Sequence, residues 1–193
     1  MTPLSMAEAK SAIYGAFRLF LRDRAGLNYF QADGPALLKS FWAAIIVLPG
    51  WFLLDYVTQS GVWLNVPLFP ALVMELAGYS MMWTVWPLFM LMVVKFLDLD
   101  ERYNLYIVAQ NWMAVPSVLL YLVVIGGATA LQLSAGAVYF FGFVSQIWVL
   151  FYHFFVVRVT MQVSVPMAIG FVLANFFLNI MLLDIRMLIL MGG

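Results

Sequence analysis

The chain contains no cysteine and a single histidine, His153. Without cysteine, disulfides, thiolate catalysis, iron–sulfur clusters and thiolate zinc sites are excluded. One histidine does not provide bis-histidine haem ligation, and the sequence has neither a His-Glu-x-x-His pair for a catalytic metal nor a Gly-x-Ser-x-Gly element for a serine hydrolase. We therefore expect a protein that is not an enzyme and that carries no cofactor.

Charged residues are also scarce, at 9% of the 193 residues, whereas 66% are hydrophobic and the mean hydropathy is +1.01. This apolar share is too high for a soluble domain, so the chain must be solvated mostly by lipid. Hydrocarbon cannot hydrogen-bond the backbone, and continuous apolar runs of about 20 residues are typical of membrane helices. The sequence predicts an all-α polytopic membrane protein. Its zero net charge gives no reason to expect nucleic-acid binding.

Five apolar runs predict five transmembrane helices in one domain over residues 37–193. The predicted spans lie at about residues 37–57, 70–94, 103–125, 137–157 and 166–190. Pro49 and Pro87 predict kinks in the first two, and Pro116 interrupts the third. We expect the glycines at 126–127 to end the third span and Arg158 to mark the end of the fourth.

Residues 1–36 predict an amphipathic helix that lies in the membrane interface. Ser5 and Glu8 have the spacing of a capping box, which begins a helix, and Gly26 is the expected stop. On a helical wheel one side carries the apolar residues Met6, Ile13, Phe17 and Phe20. The opposite side carries Arg18 and Arg22. Such a helix senses lipid or docks a partner; the commoner alternative is an anchoring helix packed under the bundle.

Lysine and arginine indicate the orientation. They lie before the first span, between the second and third, and between the fourth and fifth, whereas Arg186 alone lies on the other side. Positively charged loops are retained in the cytoplasm. We therefore expect a cytoplasmic N-terminus and a C-terminus on the opposite side. The membrane is expected to be a bacterial cytoplasmic (inner) membrane.

Polar residues recur at helical spacing within the third to fifth spans, and these stripes are expected to face one another. The candidates are Asn111 in the third span, Gln146 and His153 in the fourth, and Asn175 and Asn179 in the fifth. Side-chain amides fix which membrane helices pair, so helix packing is the simpler interpretation. The alternative is a polar path for a proton or a small solute.

Four charged residues form a second candidate set near the outer side: Asp55, Glu75, Asp184 and Arg186. Charge at membrane depth costs several kcal/mol unless it is paired or hydrated, which favours a shared cluster. An interfacial ion-pair network is the simpler interpretation, and a site for a cation or a polar headgroup is the alternative. Arg186 is equally able to reach lipid phosphate.

The amphipathic N-terminal region, the five spans and the topology resemble the Yip family, the Ypt-interacting five-span membrane proteins, and in particular their short bacterial relatives. The run from Tyr106 to Trp112, YIVAQNW, is similar to a polar-aromatic element of those relatives, and the loop from Ser164 to Ala168 fits theirs. The resemblance implies membrane organisation or trafficking through bound partners, which in eukaryotes are small GTPases. The chain departs from the eukaryotic members in lacking their long hydrophilic N-terminal region.

The leading functional hypothesis is a non-enzymatic membrane scaffold or accessory subunit. It would bind other integral membrane proteins, or itself as a homo-oligomer, or organise membrane lipids. Short loops and the interfacial helix favour it. The alternative is a small membrane transporter or channel with a polar path through spans three to five, in which the proline-containing spans move.

Overall fold

The computed structural model describes residues 3–58 and 67–192, with side chains described as far as residue 185. Those residues contain helices and no strand. In chain order the elements are α1 (Met6–Phe20), a 3-10 turn (Arg24–Tyr29), α2 (Gly34–Ser40), α3 (Trp42–Thr58), α4 (Leu68–Phe96), α5 (Asp100–Tyr121), a π turn (Leu122–Gly126), α6 (Gly127–Ala130), α7 (Ala135–Met161) and α8 (Val165–Gly192).

Five helical segments are long and apolar enough to cross a membrane, and they confirm the predicted fold class. The spans are Gly34–Thr58, Leu68–Phe96, Asp100–Ala130, Ala135–Met161 and Val165–Ile185. The first combines α2 and α3, and the third combines α5, the π turn and α6. This is an integral multi-pass membrane protein with a further helix, α1, at its N-terminus.

The third span occupies the middle of the bundle, in contact with α1 and with the first, second and fourth spans. The four consecutive residues from Tyr106 to Ala109 are all buried, so this part of the helix is enclosed on every side. The fifth span packs against the second and fourth. A continuous cluster of buried side chains joins these helices, including Met90, Ile107 and Val157.

Two spans extend beyond their predicted ends. The third continues through the glycines at 126–127 to Ala130, because both glycines keep helical backbone angles, with φ of −60° and −63°. Glycine permits a helix to end but does not force it to. The fourth continues past Arg158 to Met161, where Gln162 takes a left-handed φ of 53° and terminates it. The Arg158 guanidinium donates to the Val163 carbonyl just beyond this end.

The predicted capping box at the start of α1 is confirmed. The Glu8 backbone N–H donates to Ser5 Oγ at 3.2 Å, and the Ser5 N–H donates to the Glu8 carboxylate at 2.8 Å. The prediction that α1 ends at Gly26 is wrong, because the helix ends at Phe20 and Gly26 lies in the following 3-10 turn. That turn folds back on α1: a Cβ on Gly26 would lie 2.6 Å from the Gly15 carbonyl oxygen.

The predicted apolar face of α1 is not its buried face. Met6 is 73% exposed, and Ile13, Phe17 and Phe20 are only half-buried. The buried side consists of small residues and one leucine: Ala9, Ala12, Gly15, Ala16 and Leu19. At about 100° per residue this side lies roughly a quarter turn from the large apolar residues. The small residues form the buried side because they let α1 approach the third and fourth spans closely.

Polar contacts fix α1 against the bundle. The Tyr152 hydroxyl of the fourth span donates to the Ala16 carbonyl at 2.9 Å, and Lys39 of the first span lies 2.5 Å from the Glu8 carboxylate. The hydrogen bond from Lys39 lowers the pKa of Glu8 to about 2. These contacts dock α1 on the bundle, and whether it also senses lipid or docks a partner stays a prediction.

The two predicted interfacial arginines contact the protein itself. Arg18 Nε donates to Asp23 at 2.7 Å, and the Arg22 guanidinium lies 5.1 Å from the ring centroid of Trp148. The pKa of Asp23 is lowered, first by a hydrogen bond from the Ala25 backbone N–H and then by Arg18. Arg18 therefore holds the turn against α1, and Arg22 packs against the fourth span.

Candidate functional site

A cavity of about 390 Å³ lies at the centre of the bundle, and each of the five spans contributes to its lining. All five polar residues predicted from the sequence line it: Asn111, Gln146, His153, Asn175 and Asn179. The predicted stripes of the third, fourth and fifth spans thus face one another. Whether these residues form a path for a solute or only pack the helices stays a prediction.

Aromatic side chains of the first and second spans form one wall of the cavity. Trp51 and Tyr79 lie 5.8 Å apart between ring centroids, and Tyr79 and Trp83 lie 6.0 Å apart. The Tyr79 hydroxyl donates to the Ala44 carbonyl at 2.5 Å, which ties the second span to the first. This wall is mostly apolar, and the indole of Trp51 belongs to it.

A buried hydrogen-bond chain crosses from the second span to the fourth. Trp86 Nε1 donates to the Tyr106 hydroxyl at 2.9 Å, and that hydroxyl lies 3.1 Å from His153 Nε2. A phenol accepts one hydrogen bond and donates another, so Tyr106 serves both neighbours. Trp86 and His153 line the cavity, whereas Tyr106 is fully buried beside them.

Two further hydrogen bonds join spans around the cavity. Asn111 Nδ2 donates to Ser40 Oγ at 2.8 Å, linking the third span to the start of the first. The Tyr121 hydroxyl donates to Gln146 Oε1 at 2.7 Å, linking the third span to the fourth. Asn111 and Gln146 therefore pair helices, as the packing interpretation requires, and they also line the cavity.

The two asparagines of the fifth span bond to one another. Asn179 Nδ2 donates to the Asn175 backbone carbonyl at 2.8 Å and lies 3.2 Å from its side-chain oxygen. Both bonds stay within one helix, so they tie no two spans together. The polar groups of this stripe are thus presented to the cavity by a single helix.

Two buried polar atoms on the cavity wall have no hydrogen-bond partner among the described residues. They are the Nε1 donor of Trp51 in the first span and the Oε1 acceptor of Gln110 in the third. Neither residue was predicted from the sequence as a site residue. Tryptophan in a membrane protein is usually interfacial, and Gln110 neighbours the selected Asn111 in sequence but points about 100° away on an ideal helix.

The chemistry of the site is hydrogen bonding between neutral groups. None of the described residues that line the cavity carries a formal charge. Within the described part of the chain, no three His, Asp or Glu side chains converge as metal ligands would. The lining offers amides, phenols, indoles and one imidazole, set among apolar side chains such as Met82 and Ile180.

The predicted outer charge cluster lies only partly within the described side chains. Asp55 and Glu75 are 5% and 2% exposed, so both carboxyl groups are buried between helices. Asp184 is exposed, and the side chain of Arg186 lies outside the described residues. A shared cluster of all four residues therefore stays a prediction.

Comparison with protein-family models, with curated proteins and with solved structures finds no match to this chain.

Proposed function

We propose that this is a non-enzymatic integral membrane protein that binds a small molecule in its central cavity, as a small transporter or channel does. One observation carries the proposal: the five polar residues of the third to fifth spans converge on one partly open cavity that all five spans line. Protein interiors are normally close-packed, and a bundle built only for packing fills its centre. A volume of about 390 Å³ lies instead in the usual range of ligand sites.

The helices around the cavity have a feature expected of moving parts. Pro49, Pro87 and Pro116 lie inside the first, second and third spans, and Pro87 itself lines the cavity. Each proline removes one backbone hydrogen bond, which loosens the helix where it occurs. Broken or bent helices beside a binding site are a recurrent feature of membrane transporters.

The scaffold hypothesis has less support. The large apolar residues on the outside of the fourth span, such as Tyr139 and Phe143, are 80% and 64% exposed, but contact with lipid alone requires such a surface. Such a surface therefore gives no separate support to the partner binding that the resemblance to the Yip family implies. We retain an accessory subunit as the alternative outcome of the experiment below.

We also propose the orientation and the membrane. The Lys and Arg residues of α1, of the connection after the second span and of the end of the fourth lie at one end of an antiparallel bundle. The hydrogen bond between Tyr152 and Ala16 seats α1 at that end. Positively charged termini and loops are retained in the cytoplasm, which supports a cytoplasmic N-terminus. The proposal of a bacterial inner membrane rests on the resemblance to the short bacterial members of the Yip family.

The test is to purify the protein from its native membrane in a mild detergent and to identify every retained small molecule and protein by mass spectrometry. Ala114→Leu narrows the cavity from the third span, and Ala130→Leu makes the same change at an exposed position of that span. We expect the wild type and Ala130→Leu to retain a small molecule near one per chain and Ala114→Leu to lose it. A stoichiometric protein partner without a small molecule would overturn the proposal in favour of the accessory subunit.

A further inference from the structure

We infer that the cavity holds an uncharged amphipathic molecule that accepts a hydrogen bond from Trp51 and donates one to Gln110. This rests on the proposed function and specifies its ligand. Trp51 Nε1 and Gln110 Oε1 are the two lining atoms reported above as buried and without a partner among the described residues. An indole nitrogen only donates and an amide oxygen only accepts, so the pair requires one acceptor and one donor from the occupant. Hydroxyl groups supply both kinds of partner.

The rest of the lining indicates why the occupant has an apolar body. Trp83, Met82, Phe176 and Ile180 offer carbon surface to most of the cavity. A buried water needs two to four polar partners, which only part of this wall provides. An amphipathic molecule places its polar group at Trp51 and Gln110 and its apolar part against the aromatic wall.

Charge complementarity indicates why the occupant is neutral. The described lining residues carry no formal charge, and an ion buried at membrane depth is strongly disfavoured without a counter-ion. Neutral hydroxyl-bearing amphipaths come from the bilayer, as glycerides, or from water, as small alcohols. Both share the chemistry that Trp51 and Gln110 recognise.

The experiment uses three probes with the same eight-carbon chain and different head groups: 1-monooctanoylglycerol, octanoate and octylammonium. Each isotope-labelled probe is dialysed at pH 7 against the full chain in lipid nanodiscs, and binding to empty discs is subtracted. We expect saturable binding of the glyceride at one site and binding of the two ions that is at least about tenfold weaker. Lipid analysis of the protein taken from its native membrane distinguishes the sources, since a bilayer ligand is retained there and an aqueous one is added back.

Single substitutions test the two contacts. Trp51→Phe and Gln110→Leu each remove one hydrogen bond and should weaken binding of the glyceride by about tenfold. Trp42→Phe changes a tryptophan in the same span that does not line the cavity, and it should change the affinity less than about twofold. Gln110→Glu keeps the shape of the side chain but adds a negative charge, and it should shift preference toward octylammonium.

The outcomes separate this inference from the proposed function. Equal binding of all three probes overturns the inference and leaves the cavity as the binding site. The same conclusion follows if Ala114→Leu abolishes binding while Trp51→Phe and Gln110→Leu both leave the affinity unchanged. Absence of saturable binding of every probe overturns the inference. If the native membrane also yields no retained small molecule, the proposed function itself is overturned.

Discussion

The hydroxyl of Tyr106 is the junction of the buried chain that links three spans, so its removal gives a defined perturbation. Tyr106→Phe deletes one oxygen and leaves the ring in place. Trp86 Nε1 then loses its acceptor at 2.9 Å, and His153 Nε2 loses its neighbour at 3.1 Å. Because Tyr106 is 0% exposed, neither lost contact is replaced from outside the bundle.

The expected loss of stability follows from how much water reaches the two orphaned groups. A buried polar group left without a partner costs about 1–3 kcal/mol, so two in a dry core would cost roughly 2–6 kcal/mol. Hydrogen bonds between membrane helices contribute only about 0.6 kcal/mol on average. Trp86 and His153 both border the central cavity, where water or a ligand replaces part of the loss. We therefore expect Tyr106→Phe to lower the free energy of unfolding by about 1–2 kcal/mol.

Equilibrium unfolding in mixed micelles, followed by circular dichroism while the denaturing detergent fraction rises, measures this change. Tyr139→Phe, at a position that is 80% exposed, is the control and should be neutral. In a double-mutant cycle Trp86→Phe should cost less in the Tyr106→Phe background than alone, with a coupling of about 0.5–1 kcal/mol. A loss below about 0.3 kcal/mol together with additive single effects would refute the hydrogen-bond chain.

Two further predictions concern the N-terminal helix. Gly26→Ala should destabilise the docked helix by about 1–3 kcal/mol, because the new Cβ would lie 2.6 Å from the backbone oxygen of Gly15. Amide hydrogen exchange measures this effect and should become faster throughout α1. Unchanged exchange would count against the close packing of Gly26 on Gly15. The ion pair between Glu8 and Lys39 lowers the pKa of Glu8 from 4.5 to about 2, so its stabilising effect is complete above pH 4.5 and is lost as the pH falls toward 2. The distance between spin labels on α1 and the first span should grow only in that window, and Glu8→Gln, which keeps the capping box, should remove the pH dependence; a wild-type transition at neutral pH would contradict the assignment.

The sequence was sufficient for the five spans because each contains an 18-residue window of high mean hydropathy, a signal that depends on local composition alone. The convergence of Asn111, Gln146 and Asn175 was also predictable, since helical spacing places polar residues on faces that avoid lipid. In both cases one physical requirement, the exclusion of polar groups from hydrocarbon, decides the result.

Contacts that depend on close approach were not predictable in this way. The helical wheel placed the large apolar residues of α1, such as Phe17, on one side, but it did not predict that the helix packs on the bundle through its small residues around Ala16. Hydrophobicity scales rank the large residues first, whereas the distance between packed helices is limited by the small ones. For the same reason Gly26 was expected only to end a helix, although it allows the turn to contact Gly15.

The packing and path interpretations of the polar stripes are not exclusive, and this decides which substitutions are informative. Asn111 joins two spans and also lines the cavity, so loss of function in Asn111→Leu would not separate a damaged bundle from a damaged site. Trp51 and Gln110 have polar atoms that bond to no described residue, so removing those atoms breaks no tie between helices. Replacing an unpaired buried polar group by an apolar one of similar shape is neutral or stabilising. A variant at either position that unfolds no more easily than the wild type but binds more weakly would therefore assign the residue to the ligand, since a residue needed only for packing would lose stability and binding together.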